Sequence, residues 1–417
     1  MKRNKFCFIT LILLIIMMHG CKSGKNNEGN MELSDYKKGS FGYDLKFLKK
    51  ADKNLVILKD NSGMSQVIVS AKYQGKVFTS TAEGLQGSSF GWINYNLIKS
   101  GERLDHMNGF GSEDRFWLGP EGGQYSVFFK PGVSMEIDNW YTPAPLDYES
   151  WELISETSSK AEVKKDMLLK NYAGTEFSLR VNRKITLLED ADIQHLLDVV
   201  LPSEIKQVGF ETENIVTNTG ENTWTKESGT VSIWILSMFN PSIGGTVVIP
   251  YKEGYESEFG KIAATNYFGE IPNDRIKIEN GILYFKVDGK KRSKLGLSPR
   301  RAKSVAGSYD EISGTLTIVQ YSLPEKAKEY INQLWEIQKE PFIGDVLNSY
   351  NDGPLEDGSQ MGPFYELESS SPAAFLKPGE NIIHYHRVMH FVGEKEDLNN
   401  ISEKVLGIGI EQIIEAF

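Results

Sequence analysis

Apolar residues in this chain recur at every second position or in short unbroken runs, the two signatures of β-strands. Phe177, Leu179 and Val181 alternate with Ser178, Arg180 and Asn182, the period of a half-buried strand. Residues 54–59 and 66–73 are β-branched or apolar runs separated by Asp60-Asn61-Ser62-Gly63, a turn composition. Further strands are predicted over 125–129, 208–217, 231–239, 246–250, 282–287 and 314–321, with turn signals at Asn280-Gly281 and Asp288-Gly289. The end of the chain predicts two more, one through Phe364-Tyr365-Glu366-Leu367-Glu368 and one over 382–391. Two helices are predicted. After Pro324, a natural first-turn residue, Ala327, Tyr330, Ile331, Leu334 and Trp335 fall on one helical face. Over 398–406, Ile401 and Val405 share an apolar side and Gly407 supplies the stop. Many short strands with few helices, and no repeat or linker between 40 and 417, predict an all-β protein built as one large antiparallel sandwich. A pair of smaller sandwiches is the structural alternative.

The N-terminus reads as an export signal. Lys2, Arg3 and Lys5 form a basic region, and 8–18 is an apolar stretch too short to span a bilayer. Met18-His19-Gly20-Cys21 follows, with a small residue directly before the cysteine, and looks like a bacterial lipobox. That likeness implies cleavage after Gly20, a signal peptide of 1–20, and lipid on Cys21; an ordinary signal peptide with an incidental cysteine is the alternative. Cys7, the other cysteine, would leave with the signal, so the mature chain has no internal disulfide. Residues 21–39 read as a tether, because 22–30 carries no large apolar side chain. The expected membrane attachment is through lipid alone.

Removing 1–20 leaves 43 of the 46 Lys and Arg against 56 Asp and Glu, a net charge of −13. Such a balance argues against nucleic acid or an anionic membrane surface as a partner. The chain also lacks a Gly-x-Ser-x-Gly elbow, a His-Glu-x-x-His helix and a phosphate loop, which sets aside the chemistries those devices serve.

The candidate chemistry lies near the C-terminus. Glu366 and Glu368 are two apart on a predicted strand, so both carboxylates face one side, an arrangement suited to general acid–base work on a hydroxylated substrate. Glu366 and Glu368, the Pro378-Gly379-Glu380 turn and the final long strand together resemble the C-terminal part of the galactose mutarotase-like superfamily, whose catalytic base is a glutamate in such a place. The resemblance implies a β-supersandwich of two large facing sheets over 40–417, a carbohydrate partner and an aldose 1-epimerase-like activity, with Glu368 as base and Glu366 as its neighbour or substitute. No cofactor follows from it. Asn218-Thr219-Gly220 resembles the hairpin that in the family precedes a strand bearing the general-acid histidine. Here the following strand, 231–239, contains no histidine. Either a residue from elsewhere, His386 first among the candidates, supplies the acid, or the protein is a non-catalytic glycan-binding lipoprotein. A glycoside hydrolase, which needs only two carboxylates, is a weaker competitor.

Three further segments carry candidates. Asp114 to Gln124 is similar in kind to a Gly- and Arg-containing segment that lines the family's sugar site. Arg115 is suited to forked hydrogen bonds, Trp117 to stacking on a sugar face, and Glu121 and Gln124 to fixing hydroxyls; a Gly-rich turn with a core Trp and a structural ion pair explains the segment equally well. Residues 348–358 lead into the glutamate strand and place Tyr350, Asn351 and Asp352 beside it. With Glu356 and Asp357 this loop also has oxygens for Ca²⁺, though not in EF-hand order, and it is equally plain turn chemistry. His384, His386 and His390 share a strand face and can ligate a metal only with a further partner.

Overall fold

The structure, a computed structural model, describes residues 33–417. The predicted signal peptide, Cys21 and most of the predicted tether lie outside the described residues. Within the last part of that tether Tyr36 is buried, its ring closed over Gly42, where any side chain would collide with it. Gly42 belongs to a helix, Phe41–Ala51, that the pattern did not predict. Ser40 caps it by accepting from the Tyr43 N–H at 3.5 Å, and Phe41, Leu45 and Leu48 form its buried side.

Among the described residues there are eighteen strands. In chain order, β1 (Val56–Lys59), β2 (Gln66–Ser70) and β3 (Lys76–Thr81) form a small sheet. After β4 (Arg115–Gly119) comes a meander of β5 (Glu152–Glu156), β6 (Lys160–Lys170), β7 (Glu176–Leu187) and β8 (Lys206–Asn218). Next are β9 (Ser232–Phe239), β10 (Gly245–Pro250), β11 (Ile276–Glu279), β12 (Ile282–Lys286) and β13 (Ser293–Leu297). The rest are β14 (Val305–Asp310), β15 (Thr315–Tyr321), β16 (Leu347–Asn351), β17 (Tyr365–Ser370) and β18 (Asn381–Val392). A ten-stranded sheet runs β11-β12-β10-β14-β15-β18-β8-β7-β6-β5, and a five-stranded sheet runs β13-β16-β17-β9-β4. The pairings within these sheets are antiparallel, so the all-β antiparallel sandwich the pattern predicts is the architecture observed.

The two sheets face each other across a core. Val208, Phe210, Val247, Phe285, Val319 and Val388 from the larger meet Phe239, Leu295, Leu347, Tyr365 and Leu367 from the smaller. Each such side chain, fully buried, contributes roughly 1.5–3 kcal/mol. The outer face of the larger sheet is partly covered by a helix at Lys395–Leu406, whose Leu398, Ile401 and Leu406 pack on Val248, Leu316 and Phe391. Gly407 ends that helix in the left-handed conformation, as its sequence predicts. β7 alternates buried and exposed positions because one of its faces meets solvent, whereas β4, β9, β13, β16 and β17 are buried on both faces. Loops cover the outer side of the five-stranded sheet.

Two predicted elements are absent. Residues 324–346 form no helix: the Tyr330 and Asn332 N–H groups donate to Phe342 and Pro341, and the Gly344 N–H donates to Tyr330. The segment folds back on itself as a strap, and its apolar residues are buried by tertiary contact instead of on a helical face. Residues 125–129 form a bend instead of a strand, with Phe128 and Phe129 buried against Trp140 and Trp335.

Candidate active site

Directly opposed residues of an antiparallel pair share a face. On β17, Glu366 lies opposite Tyr350 and Met238, and Glu368 opposite Asn348 and Leu236. On the flanking strands, Arg115 faces Leu236, Trp117 faces Trp234, and Lys294 faces Tyr350. Register therefore gathers Lys294, Asn348, Tyr350, Glu366, Glu368, Trp234, Arg115 and Trp117 on the outer face of the five-stranded sheet. Of the residues singled out from the sequence, the structure brings Glu366, Glu368, Arg115, Trp117 and Tyr350 together on this face.

Glu368 is fully buried. Its Oε2 accepts from the Lys294 ammonium at 2.9 Å and from the Trp234 indole N–H at 2.9 Å, while its Oε1 has no protein partner. Glu366 sits one strand repeat away, at roughly 7 Å along the backbone. Its Oε1 accepts from Arg115 at 3.3 Å. Burial, and then the negative charge of Glu368, push the Glu366 carboxyl up to about 8 against the pull of Arg115 and Lys294. Burial also works against the Lys294 charge, but Glu368 and Glu121 outweigh it and leave that ammonium above its ordinary value. Arg115 lies 4.2 Å over the Trp117 ring and Lys294 4.9 Å over the Trp234 ring, so each cation is seated on an indole as well as paired with a carboxyl group.

The surroundings are polar and aromatic. Tyr350 donates to Asp352 at 2.7 Å, and Asp352 also accepts from the Gly362 N–H. Burial raises Asp352, and its charge contributes to the rise at Glu366. Tyr267 donates to Asp345 at 2.7 Å and accepts from Asn348 at 3.2 Å. Glu121 is half-buried close enough to feel both Lys294 and Glu368, and burial raises it.

Other expected residues go elsewhere. Gln124 is bound at both ends of its amide to the Gln338 backbone, pinning the strap. Asn351 points to the opposite face from Tyr350 and holds the turn at Gly289 and Lys291. The strand runs through Asn351, so alternation separates it from its neighbour. With Asn351 so engaged and Glu356 and Asp357 exposed, the 348–358 segment brings together no Ca²⁺ cage, and no group of three or more His, Cys, Asp or Glu among the described residues is placed to hold a metal.

His386 is the main correction. It lies on the inner face of the larger sheet, bonded to Ser237 at 3.0 Å and Ser369 at 2.8 Å. Ser369 is on β17 but points to the side opposite Glu368. The five-stranded sheet thus stands between His386 and the glutamates, and His386 cannot share a proton path with them on that face. His384 bonds the same serine, while His106 bonds the Trp140 carbonyl and His195 is exposed on a helix.

Lys294 and Trp234 join this face although their local sequence does not single them out. Lys294 follows Lys290, Lys291 and Arg292 and so merges with a run of surface charge. The alternation of Lys294 with Ser293 and Leu295 was the available signal.

Solved structures similar in fold include a candidate aldose 1-epimerase from Escherichia coli K12, with 12% identity, TM-score 0.48, and coverage of 81% of this chain and 98% of that one. The Slr1438 protein of Synechocystis is 12% identical at TM-score 0.49, covering 82% and 96%. A galactose mutarotase-like protein from Lactobacillus casei is 10% identical at TM-score 0.43, covering 81% and 100%. No curated protein matches the sequence. One family model does, over residues 39–417, and the chain accordingly belongs to DUF6786, a family of unknown function.

Proposed function

We propose that the outer face of the five-stranded sheet is a carbohydrate site that interconverts the anomers of an aldose. The observation that carries the reading is a pair of carboxyl groups on one strand face whose surroundings set them apart. Glu368 faces an ammonium and an indole N–H on one oxygen and keeps the other free, and Glu366 is held protonated near neutrality. Glu368 Oε1 takes the proton of the anomeric hydroxyl as the C1–O5 bond breaks and C1=O forms. Glu366 gives its proton to the ring oxygen, and after rotation about C1–C2 the reverse transfers close the other anomer. Glu366 thus fills the role for which β9 offers no histidine. Arg115 and Lys294, each seated on an indole, and Tyr350 orient the hydroxyls of the sugar.

The test is anomer interconversion of glucose and galactose followed by polarimetry or NMR. Glu368→Gln is expected to lower the catalysed rate about 10²–10⁴-fold. Acceleration that survives loss of both glutamates would place the chemistry elsewhere. The alternative, a glycan-binding protein, is favoured by one observation, the absence of an imidazole from this face; it requires that no aldose is accelerated and that Glu368→Gln changes affinity alone.

The same proposal puts the domain outside the cytoplasm, tethered through lipid on Cys21. The basic and apolar segments before Met18-His19-Gly20-Cys21 support this. Cys21→Ser is expected to release soluble protein or leave an uncleaved precursor; wild-type protein found free of the membrane fraction would refute the anchor.

A further inference from the structure

β17 has a second face, and it lines a different space. Tyr365, next to Glu366, points inward between the sheets into a half-open cavity of about 210 Å³ lined by Phe90, Phe239, Ser308, Thr317, Tyr365 and His390 among others. Polar groups form its inner wall, and Glu113 and Ser80 stand behind them. The Tyr365 and Ser308 hydroxyls are 2.7 Å apart, and Thr317 Oγ1 lies 2.8 Å from His390 Nδ1. His390 Nε2 lies 2.9 Å from Glu113 Oε1, which also accepts from Ser80 at 2.7 Å. His390 and Glu113 are 1% and 0% exposed, and Glu113 Oε2 has no protein partner. Phe90 stacks on the imidazole at 4.2 Å and 18°, and Phe239 meets it edge-on at 5.6 Å.

We propose that this chamber is a second binding site, separate from the glutamate face, for a small uncharged hydroxylated ligand of monosaccharide or polyol size. The cavity, about 210 Å³, opens to solvent and is large enough for several waters or one small ligand. The wall hydroxyls are paired with one another and with His390, and a paired hydroxyl still has a lone pair with which to meet an entering polyol. Hydroxyls donate and accept by rotation, which matches a ligand whose every group does the same. Glu113 and Thr317 bracket the imidazole, with Nε2 on the carboxylate and Nδ1 on the hydroxyl, and so fix the position of the Thr317 oxygen at the wall. The lining contains the carboxylate of Asp310 and no Lys or Arg, so an anionic ligand meets repulsion and no counter-charge. The aromatic faces suit the C–H side of a sugar or cyclic polyol.

The experiment titrates the full chain, as wild type and carrying Glu366→Gln and Glu368→Gln, with glucose, galactose, myo-inositol and glycerol by calorimetry, and assigns to the chamber only the binding that the hydroxyl variants below weaken. Glucose 6-phosphate is the charged control. One-to-one saturable binding of at least one neutral probe is expected, with the phosphate ester at least tenfold weaker. Thr317→Val and Tyr365→Phe, which keep shape and remove a hydroxyl, should each weaken it about three- to tenfold. Ser308→Ala serves in place of either variant whose near-ultraviolet dichroism shows a disturbed fold. No saturable binding by any neutral probe, tighter binding of the phosphate, or indifference to the hydroxyl variants overturns the site. Loss of mutarotation in the glutamate variants bears on the outer face alone, so the two readings fail separately.

Discussion

Glu366 is where burial and charge meet most directly. Its carboxyl is pushed up to about 8 from an ordinary 4.5, first by burial and then by Glu368. As the acid of the proposed reaction it must hold its proton, so kcat is expected to fall as pH rises through about 8. The same shift has a stability consequence. A folded-state pKa above the unfolded one contributes stability that is fully present below about 4.5 and is lost as pH rises through about 8. Urea unfolding at pH 5, 7 and 9 should therefore show the wild type losing ground to Glu366→Gln as pH rises; parallel curves would show that the carboxyl ionises freely. At this scale the sequence was informative where alternation applied. Glu366, Glu368 and Tyr350 share a face because strand parity requires it, and parity alone separates Asn351 from Tyr350. Lys294 was missed because a charge run masks its parity.

β18 shows what parity leaves open. His384 and His386 do share a face, as their spacing predicts, but the face is the inner one. Burial pushes both imidazoles down to about 3, helped by the adjacent His386 ring for His384 and by the Arg183 and Arg387 cations for His386. A folded pKa below the ordinary 6.5 contributes stability above that value and loses it as pH falls toward 3, because unfolding takes up protons. From this pair the loss reaches at most about 2.7 kcal/mol per pH unit. Stability measured at pH 6.5, 5.5 and 4.5 should fall more steeply for the wild type than for the His384→Gln, His386→Gln double variant. Equal slopes would mean that the imidazoles are not held neutral inside. The strap over 324–346 is the opposite case: its apolar residues have helical spacing, yet its backbone groups pair across the fold-back and tertiary burial overrides the local pattern.

In the whole molecule, the contacts that make the site join distant segments: Lys294 and Glu368 are 74 residues apart, Trp234 and Glu368 134, Arg115 and Glu366 251. Local pattern carries no information at those separations. What the sequence by itself determined is the β class, the C-terminal helix with its glycine stop, and the grouping of side chains within each strand, because all three follow from the two-residue and 3.6-residue repeats and from capping chemistry. Only the tertiary structure decided which strands are neighbours, and hence that Glu368 meets Lys294 and Trp234. It also decided which face of β17 looks outward to a loop-covered site and which looks into the sandwich with His384 and His386. A strand buried on both faces is apolar or polar without bias toward either, so its repeat states that two sides exist and leaves their roles to the packing of one sheet on the other.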